Sequence, residues 1–301
     1  MKIVFMGTPA FAVPSLKMLV ESGYDIRAVV TAADKPAGRG LRAKFSEVKE
    51  YALSRAIKIL QPVNLKSAEF QAELRETGAE LQVVVAFRML PAAVWDMPRL
   101  GSVNLHASLL PDYRGAAPIQ HAILNGEKVT GLTTFFIRQE VDTGNILFQE
   151  KIEIENEMTG GELHDIMMKQ GADLVLKTVK AIESGTYQEI PQPSGGRHNA
   201  PRIFREDCRI HWNRPVRAIY DQIRALSPYP AAWTTFHDKE LKLFSVAYEN
   251  RKITDSPGSF HISGNRLAFT ALDGYIFPAE LQLAGKGKMK AEDFLRGIRS
   301  R

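Results

Sequence analysis

The chain has one cysteine in 301 residues, Cys208, so it cannot form an internal disulfide and nothing in it calls for an oxidising compartment. Long apolar runs are missing as well. The opening run Met1-Lys2-Ile3-Val4-Phe5-Met6 breaks at Gly7-Thr8-Pro9. That is too short for a signal-peptide core or a membrane span, and it reads as a buried first strand. The cell interior is the expected location. The turn Gly7-Thr8-Pro9-Ala10-Phe11 lacks the three-glycine spacing that lets a backbone approach a pyrophosphate, and no Walker pattern follows. A dinucleotide-dependent oxidoreductase is thereby disfavoured and no nucleotide cofactor is expected. Seven histidines and one cysteine give no pair at zinc-ligand spacing, so no metal is expected either. Ser108 has no Gly-x-Ser-x-Gly elbow around it, and Asp142-Thr143-Gly144 lacks the second copy that an aspartic protease needs.

What is present is an ordinary globular composition, 45% hydrophobic and 24% charged, of a length that suggests two domains. The formal charge of +5 is unevenly placed. From Arg205 onward 16 Lys and Arg stand against 11 Asp and Glu, which leaves 23 of each before it. A basic module at the end of a neutral one suggests a polyanionic partner, nucleic acid first. A merely mildly basic surface is the plainer reading of the same numbers.

Short apolar runs alternate with helical patterns through the first half. Ile3–Phe5, Ile26–Thr31 and Leu81–Phe87 read as strands; Phe11–Glu21, Phe45–Arg55 and Ser67–Thr77 read as helices. Near-continuous apolar strands between helices predict a mostly parallel α/β sheet covered on both faces, Rossmann-like without its usual cofactor. Thr133–Ile137 and Ile146–Ile154 are two closely spaced strands, an antiparallel or edge addition, and Thr159-Gly160-Gly161-Glu162 opens a helix running to Ser184. Pro191, Pro193, Gly195, Gly196 and Pro201 then mark a linker. Beyond it come a helix, Pro215–Leu226, and short strands at 232–236, 241–247, 267–270 and 275–277, which predict a small β-barrel. The expected organisation is a catalytic domain at 1–186, a linker at 187–204 and a second domain at 205–301.

The densest chemical text is Ser102-Val-Asn104-Leu-His106-Ala-Ser108-Leu-Leu-Pro111-Asp-Tyr-Arg114-Gly115, followed by Glu140-Val-Asp142-Thr-Gly144. Asn104 and His106 stand two apart at the end of an apolar run, so on a strand they share a face, and α/β sheets place ligands at such ends. An amide, an imidazole and a carboxylate without a paired nucleophile suit acyl transfer to an amine that the substrate brings. Asn104 and a protonated His106 would stabilise the oxyanion, while Asp142 would orient or charge-stabilise the imidazole. Asn-x-His also describes hydrogen-bonded structural residues, and Asp-Thr-Gly is a common turn.

The block Asn104–Pro118 with Val141–Gly144 closely resembles the folate-dependent formyltransferases. Phe5-Met-Gly-Thr-Pro-Ala-Phe11, Lys35-Pro-Ala-Gly-Arg39-Gly40 and Ala284-Gly-Lys-Gly-Lys-Met-Lys290 extend the resemblance over essentially the whole chain. It implies a catalytic trio of Asn104, His106 and Asp142. It also implies folate contacts from Ser108, Leu109, Leu110 and Pro111, and a pterin pocket lined by Phe87, Arg88, Met89 and Leu90. Core packing is the competing role for those apolar side chains, and covering the sheet edge is the competing role for Arg88. The formyl donor implied is 10-formyltetrahydrofolate, with no metal or nucleotide.

Among the family's acceptors, the basic loop bearing Lys35, Arg39, Arg42 and Lys44 favours methionyl-initiator-tRNA. So does a C-terminal module resembling the family's oligonucleotide-binding barrel, with Lys286 and Lys288 among its candidates. The resemblance thus implies a monomeric cytoplasmic enzyme of translation initiation. A small amine such as an amino-sugar nucleotide is the alternative acceptor, and an inactivated, RNA-binding form of the fold is the non-catalytic one. Ile210-His211-Trp212 departs from the family's usual Ile-Asp-Trp, and the tail after Arg299 is short.

Overall fold

The structure, a computed structural model, describes residues 1–37, 42–193 and 195–299. It divides into two compact units. One comprises 1–115, 130–152 and 164–199; the other comprises 116–129, 153–163 and 200–301. No described helix is long and apolar enough to cross a membrane.

The first unit begins with β1 (Lys2–Gly7), α1 (Val13–Glu21), β2 (Asp25–Val30), and a hairpin of β3 (Lys35–Ala37) and β4 (Arg42–Lys44). It continues through α2 (Glu47–Ser54), β5 (Ile59–Leu60), α3 (Ala68–Glu76), β6 (Leu81–Val85), α4 (Ala92–Trp95), β7 (Ser102–His106) and β8 (Arg114–Gly115). After α5 (Pro118–Leu124), which lies in the second unit, come β9 (Val129–Phe136), β10 (Ile146–Glu153) and the long α6 (Gly160–Ser184).

Seven strands form one sheet in the order β10-β9-β7-β6-β1-β2-β5. Ile3, Val4, Phe5 and Met6 are all fully buried, as expected of a strand covered on both faces. β1 pairs parallel with β2 and β6, and β6 pairs parallel with β7; β9 joins β7 antiparallel, leaving β10 at the edge. The helices start where capping chemistry allows. The Ser46 hydroxyl accepts from the Lys49 N–H, and Ser67 from Phe70, each satisfying one orphan donor. Thr159 and Glu162 cap one another reciprocally at the start of α6.

The chain moves from β1 to β2 and β5 on one side, then returns to the other side with β6. The direction of winding therefore reverses between β1 and β6, and the crevice at the carboxyl ends of such strands is the natural ligand site. β7 lies next to β6. Its residues Val103 and Leu105 turn toward α6, where Gly171 leaves no room for a Cβ beside Leu105. Asn104 and His106 therefore face the opposite side. There Asn104 neighbours Val84 of β6 and Phe135 of β9, and His106 neighbours Thr133.

The basic segment 35–44, expected as a loop, instead has paired ends, with Lys35 in register with Lys44 and Ala37 with Arg42. Gly and Pro hide a hairpin this short from any periodicity argument.

The second unit contains, after β11 (Asn199–Ala200), α7 (Val216–Leu226), β12 (Ala232–Phe236), β13 (Lys239–Asn250), β14 (Phe260–Ser263) and β15 (Arg266–Thr270). It ends with β16 (Gly274–Leu283), β17 (Met289–Lys290) and α8 (Ala291–Arg299). The antiparallel order is β12-β13-β16-β15-β14, with β17 on β16. Register shifts around Ser245 bend β13. The two outer strands of that path meet through Phe236 and Phe260, whose ring centroids lie 4.7 Å apart. The sheet is thus rolled around a core of Leu241, Leu243, Leu267, Phe269 and Ile276, with Ile219 and Ile223 of α7 packed into it.

Candidate active site

His106 is buried at the end of β7, and its Nε2 lies 2.9 Å from the backbone carbonyl of Tyr113. A carbonyl only accepts, so Nε2 carries a proton and donates it. That leaves Nδ1 as the ring nitrogen turned toward Asp142, with Oδ2 at 3.8 Å. The Tyr113 carbonyl thus holds the ring in one tautomer. Asn104, half-buried, stands one side-chain repeat earlier on the same face.

Asp142 sits in the loop between β9 and β10 with φ at +55°, a left-handed conformation that costs an L-residue roughly 1–2 kcal/mol. Several groups hold it there. The backbone N–H of Gly115 donates to Asp142 Oδ2 at 3.1 Å. The Gln192 side-chain amide donates to the carbonyls of Asp142 and Gly144 at 2.9 and 2.7 Å.

The Ser108–Pro111 stretch arches over the sheet face that carries His106 and is tied down from within. The Ser108 hydroxyl, fully buried, donates to the Asp112 carbonyl at 2.6 Å, and Thr133 Oγ1 donates to the Ser108 carbonyl while accepting from the Leu110 N–H. Gln149 braces the same arch through the Leu110 carbonyl. Leu109 lies against Gly131, where an added Cβ would come within 2.5 Å of its methyl carbon. Leu110 packs with Phe135 and Ile146.

The segment after β6 makes the neighbouring wall. Leu90 is buried with Val84 in an apolar cluster, and Phe87 and Ile137 pack against it. Arg88 donates to the Val63 and Pro62 carbonyls and lies over the Phe87 ring, while Met89 is exposed. So the structure gathers the Asn104, His106 and Asp142 region, the 108–111 arch and the 87–90 segment around the carboxyl ends of β6 and β7.

The basic candidates are disposed differently. Lys35, Arg42 and Lys44 lie on the hairpin and Arg39 lies outside the described residues. Lys286 is exposed on the second unit; Lys288 pairs with Glu280 at 2.6 Å and covers the Phe244 ring.

Sequence reasoning missed the supporting partners: the Tyr113 carbonyl, the Gly115 N–H, Thr133, Gln149 and Gln192. Asp112 is one more. Burial pushes its carboxyl up, but the backbone N–H and guanidinium of Arg197 outweigh that and hold it below the ordinary carboxylate value. A depressed folded-state pKa stabilises the fold above the unfolded value, near pH 4, and that contribution is lost as pH falls through the folded value. Asp112→Asn is therefore expected to cost on the order of 1 kcal/mol at pH 7. The gap to the parent chain should narrow in urea titrations as pH falls below the unfolded value and close once the parent's own carboxylate is also protonated.

A mostly parallel sheet thus carries Asn104 and His106 at the end of one strand, with the Asp142 turn facing the imidazole. The chain belongs to the formyl transferase family: residues 1–179 match the family's Formyl transferase model and residues 202–299 its C-terminal domain model. The methionyl-tRNA formyltransferase of Bacteroides fragilis is 49% identical over 308 residues, covering 99% of this chain and 95% of that protein. The Flavobacterium johnsoniae protein of the same name is 47% identical over 304 residues, covering 99% and 96%. Among solved structures, the N-formyltransferase of Helicobacter canadensis, in complex with folinic acid and dTDP-3-aminofucose, shares the fold. Its TM-score is 0.69 at 22% identity, over 92% of this chain and 98% of that one. HypX from Aquifex aeolicus superposes with a TM-score of 0.68 at 17% identity over all of this chain, which spans about half (48%) of HypX.

Proposed function

We propose that this chain transfers the formyl group of 10-formyltetrahydrofolate to the α-amino group of methionyl-initiator-tRNA in the cytoplasm. The observation that carries the reaction class is the setting of His106, with one nitrogen committed to a carbonyl and the other facing a carboxylate. The acceptor rests on full-length similarity to proteins named methionyl-tRNA formyltransferase.

The residues at the strand ends fit a flat heteroaromatic ring. Phe87 and Ile137, partly buried, pack against the core that Val84 and Leu90 belong to, and Val84 pairs with Asn104. When bound, the formylated folate supplies an amide carbon open to attack by an amine. As the amine nitrogen bonds to the formyl carbon, His106 Nδ1 takes the proton that this nitrogen sheds, and the resulting imidazolium faces Asp142 Oδ2 and the Tyr113 carbonyl. Protonated His106 and the Asn104 amide then donate to the oxygen as the carbon becomes tetrahedral, which is where preorganised donors act most strongly. As the tetrahedral carbon collapses, its bond to the folate nitrogen breaks and the same proton passes from Nδ1 to that departing nitrogen, leaving the acceptor amine formylated. Leu109, Pro111 and the backbone of the 108–111 arch bound the donor on the other side. Lys35, Arg42 and Lys44 of the hairpin strands, Arg39 from the same stretch of sequence, and Lys286 and Lys288 of the second unit meet tRNA phosphates.

The test is a formyl-transfer assay with 10-formyltetrahydrofolate and equal concentrations of methionyl-initiator-tRNA, methionyl-elongator-tRNA and a dTDP-3-amino sugar. The expected product is N-formylmethionyl-tRNA, formed fastest on the initiator. Formylation of the amino sugar without any tRNA product would overturn the acceptor assignment.

A further inference from the structure

Gln192 lies between Pro191 and Pro193, in a stretch whose composition is that of a connector. Its side chain is nevertheless fully engaged. An amide offers two N–H donors and one carbonyl acceptor. Here the donors go to the carbonyls of Asp142 (2.9 Å) and Gly144 (2.7 Å), and the acceptor takes the Arg114 guanidinium at 2.6 Å. This set of partners fits only one orientation of the amide. The next residue after Arg114, Gly115, donates its N–H to the Asp142 carboxylate. One dipeptide therefore fixes Asp142 twice, directly at the carboxylate and through Gln192 at the backbone. A non-glycine residue held at φ +55° needs such over-determination to stay in place.

We propose that Gln192 is a positioning residue for formyl transfer, clamping the Asp142 turn so that its carboxylate faces His106 Nδ1. This rests on the role assigned above to Asp142. Gln192→Ala removes both halves of the clamp. Gln192→Glu keeps an acceptor for Arg114 but sets a second oxygen against two carbonyls. Both are expected to lower kcat by about 10- to 100-fold, the usual consequence of an ångström-scale misplacement, with KM for donor and acceptor changed less than about threefold. In an Asp142→Asn background, Gln192→Ala should cost less than about twofold more, because coupled groups are not additive. A merely structural role would instead lower the unfolding midpoint and raise KM, and its effect would multiply through the double variant.

Three outcomes separate the possibilities. If Asp142→Asn is inactive and both Gln192 variants keep more than half of kcat, the clamp proposal falls while the site assignment stands. If the double variant shows the product of the single effects, Gln192 acts on something other than Asp142 and the proposal again falls. If Asp142→Asn itself turns over normally, it is the carboxylate's role that is wrong. Circular dichroism on each variant confirms that folded protein is being compared, and Gln192→Glu serves alone should Gln192→Ala not fold.

Discussion

Asn104→Ala, His106→Ala and Asp142→Asn are each expected to lower kcat for formyl transfer by about 100- to 1000-fold, with KM for both substrates within a few fold of the parent chain. The magnitude is that of losing one preorganised donor to a developing oxyanion, directly at Asn104 and His106 and through the imidazolium at Asp142. The split between kcat and KM follows because these groups gain strength only as the carbon becomes tetrahedral, so their removal leaves ground-state binding alone. His106 should be the costliest position. In the proposed mechanism its ring is both proton carrier and donor, and Nδ1 alone can act, Nε2 being committed to the Tyr113 carbonyl. The triple variant should cost much less than the product of the single effects, because Asp142 acts through the imidazolium that His106→Ala removes and Asn104 shares its oxyanion with His106. Single-turnover formylation of methionyl-tRNA at saturating donor measures all four. Near-normal turnover in every single variant would remove the site from consideration.

Much of the scaffold for this chemistry is legible in the amino-acid order. β1, β6 and the Ala28–Val30 half of β2 are near-continuous apolar runs because both faces of a central parallel strand are covered, and that signal needs no long-range information. α2 and α3 announce themselves through Ser46 and Ser67, and α6 through its Thr159–Glu162 box. The span 232–236 of β12 agrees with its alternating pattern. Asn104 and His106 are legible as a pair because a strand repeats every two residues.

What periodicity cannot carry is partnership across the chain. Gln192 and Asp142 are 50 positions apart, and Asp112 and Arg197 are 85 apart. Each reads locally as an ordinary polar residue in a turn or connector. The proline- and glycine-rich stretch around Gln192 reads as slack, yet Ile190 bridges to Ile146, and Gly196 packs so closely on Pro111 that a Cβ would meet its carbonyl oxygen at 2.2 Å. Composition reports that a segment lacks repeating structure, not that it lacks partners. The final helix 291–299 was hidden for a different reason, a short amphipathic turn beginning directly after the last strand pairing at 289–290.

The closest packing in the carboxylate turn is at Gly144, and Gly144→Ala is expected to destabilise the protein by about 3 kcal/mol or more. An ideal Cβ there would lie 1.6 Å from the Phe136 carbonyl oxygen and 2.8 Å from its carbonyl carbon. Both are backbone atoms of β9, so no side-chain rotation relieves the clash and the turn itself must move. Gly144 is two residues from Asp142, and its carbonyl is one of the two that Gln192 holds. Displacing it withdraws the carboxylate from His106, so activity should fall together with stability, by about 100-fold at temperatures where the variant remains folded. Gly185→Ala is the matched control. Gly185 has φ at +68° and nothing within 4 Å of its would-be Cβ, so it isolates the cost of a left-handed alanine, about 1 kcal/mol, from that of the collision. Urea midpoints for the two variants, read alongside initial formylation rates, give the comparison. If Gly144→Ala were no less stable than Gly185→Ala and equally active, the turn would have room that this packing denies. The carboxylate would then be held by the Gly115 N–H alone, without the backbone clamp.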